Sequence, residues 1–184
     1  MYRLYRKIFE IKDKVFSKIR IFHLSLKYPG LKIQGDTTIE RNCKIVCVDG
    51  GILTLKDTHI SEGTYIIAAQ NAMIQISNSF IGRNCLLSAN KEIIIKNDCL
   101  IAEMVVVRDH NHNYTLSDEL TSSQGNDIGS IYIENNVWIG TKSTVLKGVT
   151  IGKNAVVGAH SLVNSNLESN SVNVGVPAKN IKKG

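Results

Sequence analysis

The sequence predicts an all-β protein: a parallel β-helix of six-residue repeats, preceded by one amphipathic helix and broken by one polar loop. Three observations carry this reading. From Ile133 an aliphatic residue recurs every six positions, at Ile133, Ile139, Val145, Ile151, Val157 and Val163. Shorter runs with the same step come earlier, at Ile33, Ile39 and Ile45, at Ile60 and Ile66, at Ile81, Leu87 and Ile93, and at Ile95, Ile101 and Val107. The 184 residues are 43% hydrophobic but only 6% aromatic, so the core has to be aliphatic. A period of six is neither 3.6 nor 2; it suits short flat faces, each crossed by one hexad that then turns a corner.

Residues 1–28 form the first element. Leu4, Ile8, Ile11, Val15, Ile19 and Phe22 fall three or four apart, which places them on one stripe of a helix. Tyr5, Phe9 and Phe16 widen that stripe. Eight of the 22 Lys and Arg lie in residues 1–27 against Glu10 and Asp13, so this segment holds the whole net charge of +6 and the remainder is neutral. The expected use of the stripe is packing on the rest of the protein or on a neighbouring subunit. The alternative is an anionic membrane surface. Nucleic acid is disfavoured, because no basic stripe continues into the body.

Residues 29–184 form the repeat body, with a loop insertion at 108–131 and a C-terminal tail at 172–184. Four residues after the repeating aliphatic a small side chain recurs: Cys43, Thr64, Cys85, Cys99, Val105, Val137, Ser143, Val149 and Ala155. Three of the four cysteines occupy this slot, which reads as buried filling rather than metal or redox chemistry. There is no CxxC pair, no stretch near the roughly 18–20 apolar residues of a membrane span, and no secretory pattern at the N-terminus. A cytoplasmic protein with reduced thiols is expected, at most peripheral at the inner face of the membrane.

The insertion RDHNHNYTLSDELTSSQGNDIGS carries His110 and His112, two of five histidines, and NNVWIG downstream supplies the single tryptophan, Trp138. Polar insertions of this length in a regular solenoid are more often functional than not. The hexads, the loop histidine 28 positions before Trp138 and the closing GVPAKNI resemble the hexapeptide-repeat acyltransferases. Within them the likeness is to the galactoside, maltose and nodulation-factor O-acetyltransferases and the capsule or lipopolysaccharide O-acetyltransferases. The histidine context is Asp-His-Asn, where the sugar enzymes usually have Gly-His-Pro. The resemblance implies a left-handed parallel β-helix, a homotrimer with clefts between prisms, and acetyl-CoA as donor to a carbohydrate hydroxyl, with no metal.

That resemblance also implies roles. His110 is the expected general base, with His112 the alternative, since an imidazole that titrates near neutrality can withdraw a hydroxyl proton. Trp138 lines the cleft near the acetyl group or acceptor. Thr141, Ala159, Asn164 and Ser165 are expected on the pantetheine arm, and Lys179 and Lys182 at the coenzyme A phosphates. Asn90 and Asp109 are expected at the acceptor, Asp109 also as a candidate to orient a ring. Two rival readings are a trimeric scaffold without catalysis and a zinc enzyme of the γ-carbonic-anhydrase type using His110, His112 and His160.

Overall fold

The computed structural model describes residues 2–115, 118 and 120–181, with side chains from residue 14 onward. One helix, Tyr2–Lys27, is followed by a parallel β-solenoid of six full coils and part of a seventh. Each coil crosses three faces. The first face stacks Leu31–Gln34, Ile52–Lys56, Met73–Ser77, Glu92–Ile95, Ile131–Ile133 and Thr150–Ile151. The second runs from Thr38–Ile39 through His59–Ile60, Phe80–Ile81, Leu100–Ile101, Trp138–Ile139 and Val156–Val157 to Val172–Val174. The third stacks Lys44–Cys47, Tyr65–Ala68, Leu86–Ala89, Val106–Arg108, Thr144–Val145 and Leu162–Val163.

The hexad sets this geometry. Ile133 pairs with Ile151, Ile139 with Val157 and Val145 with Val163, each eighteen residues on, so a C-terminal coil is three hexads. All six of these side chains are buried, as are Ile39, Ile60, Ile81 and Ile101 beneath them on the second face. Stacking equivalent aliphatics contributes roughly 1.5–3 kcal/mol per buried side chain. From the second face to the third the step is six residues in every coil, from Ile39 to Ile45 through Val157 to Val163. Most of the length variation falls instead at the third-to-first corner. The polar insertion leaves there as well, so Ile93 pairs with Ile131. The insertion is not featureless: His110–His112 and Asn126–Ile128 form an antiparallel pair, with a short 3-10 turn at Thr121–Ser123.

The small slot does more than fill space. Cys43 Sγ donates to the Ser61 carbonyl at 3.1 Å, Thr64 Oγ1 to Gly82 at 2.7 Å, Cys85 Sγ to Ala102 at 3.1 Å and Ser143 Oγ to Gly158 at 2.8 Å. Cys99 Sγ donates to the Glu134 carbonyl at 3.0 Å. Each side chain thus stitches one coil to the next through a carbonyl that the ladder leaves over. Burial pushes the Cys47 and Cys85 thiols up to about 11 and raises those of Cys43 and Cys99.

The N-terminal helix caps the open end of the first coil. Ile39 has no coil beneath it, so its N–H donates to Ser17 Oγ at 2.8 Å and its carbonyl accepts from the Arg20 guanidinium. Ser17, Ile21, Leu24 and Tyr28 form the seated side, and Lys14 pairs with Asp36 at 3.1 Å. The helix packs on the protein's own body as expected, but through this side rather than the predicted stripe; the side chains of Leu4, Tyr5, Ile8, Phe9 and Ile11 lie outside the described residues. Val15, Ile19 and Phe22 of the apolar stripe are exposed, on the opposite side of the helix. An exposed strand edge needs polar partners, and that need turned the helix. At the other end Val172–Val174 folds back antiparallel on Lys179–Asn180, with Ala178 buried beneath the turn.

Two measurements check these points. Ser17→Ala leaves the buried Ile39 N–H without a partner, so the denaturant midpoint should fall by the equivalent of about 1–2 kcal/mol. At pH 8 iodoacetamide should leave Cys85 and Cys99 unmodified in the native protein and label them after unfolding. Because the folded thiols bind their protons more tightly than the unfolded ones, stability should be level below pH 9 and fall as pH rises toward about 11.

Candidate functional site

The third-to-first corner gathers most of the polar chemistry. Asp109 follows the fourth strand of the third face and is fully buried. Its carboxylate accepts the Asn90 N–H at 2.8 Å on one oxygen, and those of Lys91 and Glu92 at 2.8 and 2.7 Å on the other. Three converging amides make an anion cradle, and here a side chain of the chain itself fills it. The fourth partner is His110, whose Nδ1 lies 2.9 Å from the same oxygen that Asn90 engages. A carboxylate held by three donors acts as acceptor, so Nδ1 carries the hydrogen, and the neutral tautomer with that hydrogen has its lone pair on Nε2. The His110 side chain is 13% exposed.

Asp109 was expected at the acceptor; its oxygens are saturated by these four partners and have no exposed surface. Asn90 lies at the same corner one coil below His110, and its backbone is held by Asp109. The neighbouring Glu92 accepts a short hydrogen bond from the Tyr132 hydroxyl, and that carboxylate raises the Tyr132 phenol above its ordinary value. Asn164 and Ser165 lie at this corner two coils further on, both exposed.

His112 differs from His110. It is exposed on the antiparallel pair, opposite Asn126. It lines an open groove of about 710 Å³ with Asn111, Asn113, Gln124, Asp127 and Lys147, and His110 is not part of that lining. Two of these lining residues, Lys147 and Asp127, form a 2.5 Å ion pair. Amides, an imidazole and a charged pair give it the donors and acceptors that polyols require.

The remaining candidates lie elsewhere. Trp138 is 53% exposed on the second face, in an outward column of Phe80, Leu100, Trp138 and Val156. Thr141 and Ala159 stack at the second-to-third corner, where a Cβ on Gly140 would come within 2.6 Å of the Ala159 nitrogen. Lys179 is exposed on the terminal hairpin, and Lys182 lies outside the described residues. The second face is the one that does not border the third-to-first corner, so one protomer does not bring Trp138 to His110. His160 turns the second-to-third corner with φ of 57°, away from His110 and His112. Among the described residues no group of three His, Cys, Asp or Glu could hold a metal ion.

Nothing in the sequence signals that Lys91 and Glu92 present amides to Asp109, or that Lys147 pairs with Asp127 of the insertion. The only available signal was the Asp-His adjacency itself.

Comparison with known proteins places this architecture. The family described as bacterial transferase hexapeptide (six repeats) matches residues 130–165. WbbJ of Escherichia coli K12, named for lipopolysaccharide biosynthesis O-acetyl transfer, is 32% identical over 157 residues, covering 78% of this chain and 80% of that protein. The galactoside O-acetyltransferase of the same organism is 36% identical over 113 residues, 58% of this chain and 55% of the relative. Among solved structures, the polySia-specific acetyltransferase NeuO superposes with a TM-score of 0.71 at 25% identity, covering 83% of this chain and 71% of its own. The N-acyltransferase AntD from Bacillus cereus, with dTDP and 3-hydroxybutyryl-CoA, superposes at 0.72 with 20% identity over 87% of both chains, a likeness of fold. The chain belongs to the hexapeptide-repeat acetyltransferases, enzymes that draw their acyl group from acetyl-CoA.

Proposed function

We propose that the protein transfers an acetyl group from acetyl-CoA directly to a hydroxyl of a carbohydrate, a unit of a bacterial surface polysaccharide, capsule or lipopolysaccharide. The observation that carries this reading is the four-bonded, buried Asp109 carboxylate with His110 Nδ1 at 2.9 Å. It fixes the ring and leaves Nε2 as an oriented base. In the reaction Nε2 takes the hydroxyl proton as the oxygen attacks the thioester carbonyl. The tetrahedral intermediate collapses by breaking the carbon–sulfur bond, and the departing thiolate recovers the proton from Nε2. General-base help of this kind gives about 10²–10⁴-fold. No Ser or Cys nucleophile is needed. The relatives support a sugar acceptor, because WbbJ and the galactoside enzyme carry O-acetyl transfer in their names.

The proposed working form is a cytoplasmic homotrimer. Its support is the division of the candidates. His110, Asn90, Asn164 and Ser165 share one corner, while Trp138, Thr141 and Ala159 line the second face and its edge with the third. Adjacent prisms meeting in a trimer would join the two sets in a cleft, with the pantetheine arm between them and Lys179 and Lys182 near the phosphates.

Calorimetry with acetyl-CoA is the first test. Saturable micromolar binding is expected, weakened severalfold in Lys179→Ala; no binding up to millimolar concentration would favour a scaffold without catalysis. With a hydroxyl acceptor in hand, His110→Ala should lower kcat by 10²–10⁴-fold and leave acetyl-CoA binding intact, whereas His112→Ala should act mainly on acceptor KM. A larger kcat loss in His112→Ala would move the base to that residue.

Asp109→Asn sets an amide where three N–H groups converge. It should cost about 1–3 kcal/mol of stability. It should also lower kcat with little change in KM for acetyl-CoA. Unchanged kcat would show that the carboxylate serves the corner alone.

A further inference from the structure

The helix that caps the solenoid has two working sides, and the fold uses one. Ser17, Arg20, Ile21 and Leu24 are spent on the first coil. On the opposite side Val15, Ile19, Phe22 and Leu26 are 51, 49, 62 and 69% exposed, a stripe of spacing four, three and four. Phe16 adds to it at 51%. Monomeric surfaces rarely leave such a run of large apolar side chains uncovered. In sequence the same spacing continues upstream at Leu4, Ile8 and Ile11.

Charge decides what covers it. Between residues 14 and 27 stand Lys14, Lys18, Arg20 and Lys27 and no acidic residue. Lys18 is exposed, and Lys14 keeps 60% of its side chain in solvent beside Asp36. A second copy of the stretch 14–27 laid on this stripe would set cations against cations, with no carboxylate in that stretch to answer them, which disfavours association. An apolar band with lysines along its margins is what lies in the plane of an anionic bilayer: rings and branched side chains enter the acyl boundary while ammonium groups stay at the headgroups. We infer that the stripe Val15–Ile19–Phe22–Leu26 is a docking face for an anionic lipid surface, held by apolar insertion and by attraction to phosphate headgroups. The stripe points away from the coils, so binding there leaves the third-to-first corner open to solvent.

Vesicle co-sedimentation tests this with the full chain. Vesicles of phosphatidylcholine with 30% phosphatidylglycerol, at about 50 mM salt, should carry the protein down. Pure phosphatidylcholine should not, and raising salt to about 0.5 M should release most of it as the screening length shrinks. Ile19→Glu and Phe22→Glu are on the exposed side and should cut the bound fraction at least tenfold. Their elution volume and acetyl-CoA binding should match the unaltered chain, which shows that the fold is intact. Failure to sediment with anionic vesicles, or binding undiminished in both variants, would overturn the inference. So would a shift of either variant to a smaller species, since the stripe would then be a contact between copies.

Discussion

Backbone hydrogen bonding from coil to coil is the constraint on which everything else depends. On the three faces of the solenoid the parallel ladders run along the axis from coil to coil, as from Thr38 to His59 to Phe80. Inward side chains must therefore repeat at the coil's own length, or the aliphatic stack loses register with the ladder. The second-to-third corner holds its six-residue step throughout, and the third-to-first corner absorbs the changes. A fold of this type can lengthen only where a corner opens outward. That is why the polar insertion leaves from Asp109 and returns at Ile131.

An insertion between two ladders would cost order unless something fastened its root. Asp109 does so from within. Burying a carboxylate is expensive unless its oxygens are satisfied, and here three amides of the corner below and one imidazole satisfy them. The same four bonds that make the buried charge tolerable hold His110 at the outer rim. Stability and positioning are one arrangement at this residue. The corner backbone would not stay convergent without the anion, and the anion would not stay buried without the corner.

The fold was legible because the hexad is a periodic signal that accident does not imitate over Ile133 to Val163. The small slot was legible as a position, yet its hydrogen bonds were not, because a thiol that donates to a carbonyl one coil away looks in sequence like any small residue. The helix was legible as amphipathic and its seated side was misread. The stripe from Val15 to Phe22 is the more hydrophobic one, so burial arguments chose it. The unpaired N–H and carbonyl of Ile39 chose Ser17 and Arg20 instead. Edge satisfaction is invisible until the edge exists. The histidines were legible as residues of the polar insertion, but the distinction between a fixed His110 and an exposed His112 needed the Asp109 cradle.

The two ends of the solenoid show why the helix surface needs its own explanation. Both ends present backbone groups that a ladder would otherwise use, and both are covered. The C-terminal end spends only a short turn and one antiparallel pair, Val172–Val174 with Lys179–Asn180. The N-terminal end spends a helix of 26 residues, although the capping itself runs through Ser17, Arg20 and the few apolar neighbours that seat them. Capping accounts for one side of about two turns. It does not account for a phenylalanine, an isoleucine and a leucine held in solvent on the far side, nor for a run of cations uninterrupted by any acid. A second interaction, with a surface both apolar and negative, accounts for both at once.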